Sequence, residues 1–107
     1  MIQKTEEING LYVTAVEKRK VGGTWYRVHK NLPDSVLEAT VLVFDEPSEE
    51  YGIDGGRISK LGIMRLTCSK NSEICKTWEA NYERGWCLKP TAGDAATFLE
   101  EIKELYK

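Results

Sequence analysis

The chain has 107 residues, 41% apolar and 30% charged, with 15 Lys and Arg against 17 Asp and Glu for a formal net charge of −2. This length fits a single domain over 1–107. The charge balance argues against a general nucleic-acid coat protein, which needs a basic excess, and three Trp, five Tyr and two Phe argue against disorder.

Residues 11–16 are rich in β-branched and aromatic side chains and predict the first strand. Residues 18–23 are charged and end in Gly22-Gly23, which reads as a hairpin loop before a second strand at 24–29. Pro33 breaks the chain after it. The strongest apolar run is 36–44. Leu37, Ala39, Val41 and Val43 share one face, predicted to meet the core; Leu42 and Phe44 make the far end of the other face apolar too. In 57–68, Leu61 and Ile63 share a face with Ser59 and Arg65, and Gly62 predicts a bulge or a close approach by another group. A turn at 69–72 leads to a strand in which Trp78, Ala80 and Tyr82 alternate with polar residues.

One helix is predicted at the C-terminal end. Ala95, Phe98, Leu99, Ile102, Leu105 and Tyr106 recur at the helical spacing, Thr91 suits the N-cap, and Asp94 suits the positive helix start. A stripe this apolar must be covered. The expected fold is therefore α+β: an antiparallel sheet of about five strands with the C-terminal helix packed on one face.

Residues 45–57 are the most unusual segment. Asp45, Glu46, Glu49, Glu50 and Asp54 place five carboxylates in ten residues, followed by Gly55, Gly56, Arg57 and Lys60. A phosphate-cradling loop lacks the Walker spacing here, and its acidic flank would repel phosphate. A Ca²⁺ loop lacks the alternating ligands and the closing Glu. The plain reading is a strand connection in which Asp54, Gly55 and Gly56 supply positive-φ positions. An exposed acidic loop of this kind also steers a basic partner.

Two blocks carry a resemblance. Phe44-Asp45-Glu46-Pro47-Ser48 with Tyr51-Gly52-Ile53-Asp54-Gly55-Gly56-Arg57-Ile58-Ser59-Lys60-Leu61, and then Asn81-Tyr82-Glu83-Arg84-Gly85-Trp86 with Pro90, resemble a small uncharacterised protein family of Gram-positive bacteria and their phages. The resemblance covers 37–107 and leaves 1–36 as an N-terminal extension hairpin. Gly62 and Cys87 depart from the family pattern, standing where an aromatic and an acidic residue are usual. The family implies no activity. It implies a setting of phages and mobile elements, where small domains often block host defence.

Other chemistry is sparse. His29 is the only histidine, so any Cys-His or Ser-His pair would need it; on its strand it reads as a spectator. Cys68, Cys75 and Cys87 with His29 lack the C-x₂-C knuckle of structural zinc, so no metal and no cofactor is expected. Their odd number suits a reducing interior. Residues 1–7 lack a signal-peptide run, and no window of about 18 apolar residues offers a membrane span, so a cytoplasmic protein is expected. Trp25, Tyr26, Trp78, Tyr82 and Trp86 beside Arg27, Lys30, Lys76 and Arg84 read as core filling, as interface anchors or as a base-stacking face.

Together these features predict a non-enzymatic interaction protein. Its expected partner is a host protein with a basic surface, such as a CRISPR nuclease. The contact residues would be Asp45, Glu46, Glu49, Glu50, Tyr51, Asp54, Arg57, Lys60, Arg84 and Trp86. The alternative is a small nucleic-acid-binding accessory protein that uses its aromatic and basic strand face.

Overall fold

The computed structural model describes residues 5–20, 22–68, 73–90 and 93–107. Seven strands follow one another: β1 Thr5–Ile8, β2 Leu11–Lys18, β3 Thr24–Asn31, β4 Val36–Val43, β5 Ile58–Cys68, β6 Ile74–Glu83 and β7 Trp86–Leu88. They form one antiparallel sheet in sequence order, and the helix α1, Gly93–Leu105, comes last. The class is α+β, but the sheet has seven strands rather than about five. The two additional strands are its short margins. Asn9 and Gly10 both take positive φ, 51° and 84°, and make the two-residue turn that folds β1 onto β2. β7 pairs with only Asn81 and Tyr82.

The core lies between the sheet and α1. Leu37, Ala39, Val41 and Val43 of β4 are buried, as their alternation predicts, together with Val28, Leu61, Ile63 and Ala80 of the flanking strands. The helix buries Ala95, Phe98, Leu99 and Ile102. The expected Thr91 cap lies outside the described residues, as do the predicted 69–72 turn and Val21 of the predicted hairpin loop. The Tyr106 hydroxyl is buried without a hydrogen-bond partner among the described residues, and burial holds it protonated far above the ordinary tyrosine range.

The register shifts at four places in the sheet, and two of the shifts bear on the core. Val43 pairs with Ile58 while Leu42 pairs with Lys60, so Ile58 and Ser59 are both buried at the start of β5. Ile63 pairs with Ala80 and Met64 with Trp78, which leaves Glu79 as the extra residue. This bulge corrects the simple alternation expected for β6. Ala80 and Tyr82 point to the core, but Trp78 points to the face without the helix and is 54% exposed. Its ring lies on Gly62, where a Cβ would come within 3.0 Å of the indole. That is the close approach predicted at Gly62.

Glu79 turns instead toward Arg65. The Arg65 guanidinium donates to Glu79 at 2.6 Å, to Ser35 at 3.0 Å and to Asp94 at 2.5 Å, which ties β5, β6 and the β3–β4 turn to the first turn of α1. At its other end the helix is held by Lys30, whose ammonium reaches Glu101 at 2.6 Å. Arg65 holds the Asp94 carboxyl below its ordinary value of 3.8.

Two outcomes follow for stability. Leu99→Ala, which empties a buried site, is expected to cost about 2–5 kcal/mol in denaturant unfolding; a loss below about 0.5 kcal/mol would show that α1 does not pack on the sheet. The lowered Asp94 pKa stabilises the fold at pH values above 3.8, and that contribution is lost as pH falls through the lower, folded-state value. Asp94→Asn should therefore lower stability at neutral pH and flatten its decline in the acid limb. An unchanged acid limb would discount the Arg65 link.

Candidate functional site

The connection between β4 and β5 is a compact loop held by its own backbone. Phe44 N–H donates to the Arg57 carbonyl at 2.9 Å and Ser48 N–H to the Gly56 carbonyl at 3.0 Å, closing its neck. Inside, the Gly52 N–H bonds the Ser48 carbonyl at 2.9 Å, and the Tyr51 N–H bonds the Ser48 Oγ at 3.0 Å. A single 3-10 turn, Ile53–Gly55, buries Ile53 in the core. Asp54 and Gly55 adopt φ of 52° and 73°, as expected for a turn, whereas Gly56 has φ −96° and needs no such freedom. Gly52 is the demanding position, because a Cβ there would stand 1.9 Å from the Gly56 carbonyl oxygen.

The rest of the fold anchors this loop. The Tyr82 hydroxyl donates to the Tyr51 carbonyl at 2.9 Å, and the Arg84 guanidinium lies 5.2 Å from the centre of the Tyr51 ring. Arg84 has φ 59°, and its N–H bonds the Ser59 carbonyl at 3.3 Å. The two sequence blocks, 51–61 and 81–86, therefore meet in space. Asp54 forms an ion pair with Lys103 of α1, which lowers the Asp54 pKa and raises that of Lys103.

The predicted contact residues separate into groups. Asp45, Glu46, Tyr51, Arg57 and Arg84 line one open cavity of about 400 Å³, together with Phe44 and the glycines of the β2–β3 hairpin. Glu49 and Glu50 stand exposed on the outside of the same loop. Asp54 faces α1 rather than the cavity. Lys60 lies on the helix-free face, opposite Leu42 and Glu83. Trp86 is half-buried, edge-on to Tyr82 with ring centres 5.1 Å apart.

Charge around the cavity is unneutralised. Among the described residues, Asp45, Glu46, Glu49 and Glu50 make no ion pair, and neither do Arg57 and Arg84. Arg57 makes one long bond, 3.5 Å, to the Phe44 carbonyl. Arg19, 6.0 Å from the centre of the Phe44 ring, adds a third cation on this side. The volume suits a side chain or a small ligand, and the paired signs suit a contact that carries both charges. The sequence marked Phe44 as an apolar end of its strand but not as the wall of a cavity, and gave no sign of the close packing at Gly52. The Gly22-Gly23 pair was the available signal, since a Cβ on Gly23 would meet the Phe44 ring at 3.3 Å.

The remaining candidates lie elsewhere. His29 stacks on Tyr12 with ring centres 5.0 Å apart. Cys68, Cys75 and Cys87 are exposed and none is in a disulfide. Among the described residues no three His, Cys, Asp or Glu side chains gather to hold a metal ion, and no helix is long and apolar enough to cross a membrane. The sheet divides the aromatic and basic set. Tyr26, Tyr82 and Trp86 pack against the core, while Trp25, Arg27, Lys76 and Trp78 lie on the helix-free face.

Comparison with curated proteins and with solved structures finds no match to either. A family model does match, over residues 24–107, which takes in β3 and everything after it. With both sequence blocks and the loop they build inside that span, the chain belongs to the family described as Domain of unknown function (DUF7678).

Proposed function

We propose that this is a non-enzymatic interaction protein of a phage or mobile element of Gram-positive bacteria. It presents the acidic β4–β5 loop to a basic surface of a host protein and so blocks that surface. A defence protein with a basic nucleic-acid channel, a CRISPR nuclease for example, is the class of target that such a loop fits. The observation that carries this reading is the set Asp45, Glu46, Glu49 and Glu50, exposed and without ion pairs among the described residues, on a loop fixed by its own hydrogen bonds. A rigid loop is already ordered before it binds. Unpaired carboxylates mimic a run of phosphates and accelerate encounter with a cationic groove. The cavity beside them, with Tyr51, Arg57 and Arg84 in its wall, supplies a seat for an anchoring side chain. The setting in phages and mobile elements rests on the resemblance of the two blocks.

A second reading has one observation in its favour. The helix covers a single face, so Trp25, Arg27, Lys76 and Trp78 remain on an uncovered sheet surface of the kind that stacks single-stranded bases. Arg27 is within 3.7 Å of Glu38 on that face, which reduces its availability to a phosphate.

The readings separate in one experiment. The immobilised chain is used to capture proteins from host lysate, the captured partner is purified, and association is followed across a salt series. Glu46, Glu49 and Glu50 changed together to Gln should slow association while leaving the unfolding midpoint near that of the parent, and raised salt should mimic the substitution. Unchanged affinity and an unchanged salt slope would reduce the loop to a connection. Saturable binding of single-stranded DNA or RNA, lost on Trp25→Ala with Trp78→Ala, would favour the second reading.

A further inference from the structure

Among the described residues four large apolar side chains stand exposed: Tyr51, Ile74, Trp78 and Leu88. Tyr51 belongs to the loop described above. The other three lie along a single margin of the sheet. β7 pairs with β6 only at Asn81 and Tyr82, so the outer side of β6 from Ile74 to Ala80 has no ladder partner among the described residues. Every residue from Ile74 to Trp78 is exposed. A free edge offers backbone N–H and C=O groups to another strand, and proteins usually blunt such edges with prolines or repeated charge. From Ile74 to Trp78, before the bulge at Glu79, this one carries no proline, one charged residue, Lys76, and two large apolar residues.

We propose that this edge pairs antiparallel with β6 of a second copy of the chain, about a twofold axis at Thr77. A twofold interface must be complementary to itself, so each register can be tested against its charges. Ile74, Lys76 and Trp78 share the helix-free face. An axis at Lys76 sets that ammonium against its own copy, which is unfavourable. An axis at Cys75 leaves Trp78 beyond the end of the paired strand. An axis at Thr77 places Lys76 opposite Trp78 of the second copy, twice by symmetry, which allows an ammonium–indole contact on each side. Thr77 then faces Thr77, a favourable cross-strand pair. Ile74 falls beyond the Glu79 bulge of the second copy, so the regular pairing runs from Lys76 to Trp78 of each. The acidic loop sits at the other end of β5 and β6 and stays free, so this inference is independent of the proposed function.

Sedimentation velocity over a concentration series tests it. The parent should form a reversible dimer. Trp78→Lys sets Lys opposite Lys76 twice, and Trp78→Glu sets Glu there twice. Both remove the indole, so lost apolar area affects them alike. The register predicts a dimer at least about tenfold weaker for Trp78→Lys than for Trp78→Glu, with circular dichroism confirming that both variants are folded. A parent that remains monomeric at every concentration overturns the proposal. Equal dimerisation of the two variants overturns it as well, because it would show that Lys76 does not face position 78.

Discussion

One helix has to cover a sheet that is wider than the helix. Thirteen residues of α1 extend about 20 Å, whereas seven strands at about 4.8 Å spacing span roughly 30 Å. The strands beneath the helix are dry on that face: Val28, Leu37, Ala39, Val41, Ile63 and Ala80 are fully buried. The margins must manage without a cover. β1 does so by being short and carrying Glu6 and Glu7. β6 does so over half its length by turning through a bulge, so that Glu79 meets Arg65 at the rim of the helix. The Arg65 and Lys30 contacts tie the helix to β5 and β3.

The same limit explains the candidate site. At the β4–β5 end of the sheet the helix reaches the loop through the Lys103–Asp54 ion pair, and the loop is otherwise held by its own backbone. Ile53 plugs the core from outside the sheet. Gly52 and Gly56 lie so close together that their backbones replace side-chain packing. Among the described residues Asp45, Glu46, Glu49 and Glu50 make no ion pair. Asp54, by contrast, serves the fold.

What could be read from the sequence was whatever depends on periodicity. The helical stripe of Phe98, Leu99 and Ile102 and the two-residue alternation of β4 appear because each buries a continuous face. The margins obey no such rule. β1 buries no residue fully, only Ile8 packing partly against the core, and its signal was the Asn9-Gly10 turn rather than its own residues. The bulge at Glu79 is a tertiary choice: the strand gives up its alternation so that Trp78 can lie on Gly62 and Glu79 can reach Arg65. The acidic loop was visible as composition. Its cavity was not, because Phe44, Tyr51, Arg57 and Arg84 converge only once β6 has folded back beside β5.

The order of elements bears on how the chain is made. Every strand pairs with its neighbour in sequence, so the meander can zip up locally as synthesis proceeds, with little closure entropy outside the longer β4–β5 connection. Its cover is encoded after it. Until α1 has left the ribosome, the apolar face of β3, β4 and β5 has nothing to lie against. A nascent sheet would thus exist for a time as a sticky half-layer, vulnerable to other chains and to chaperones. Thirteen residues of helix would close that window in a single step.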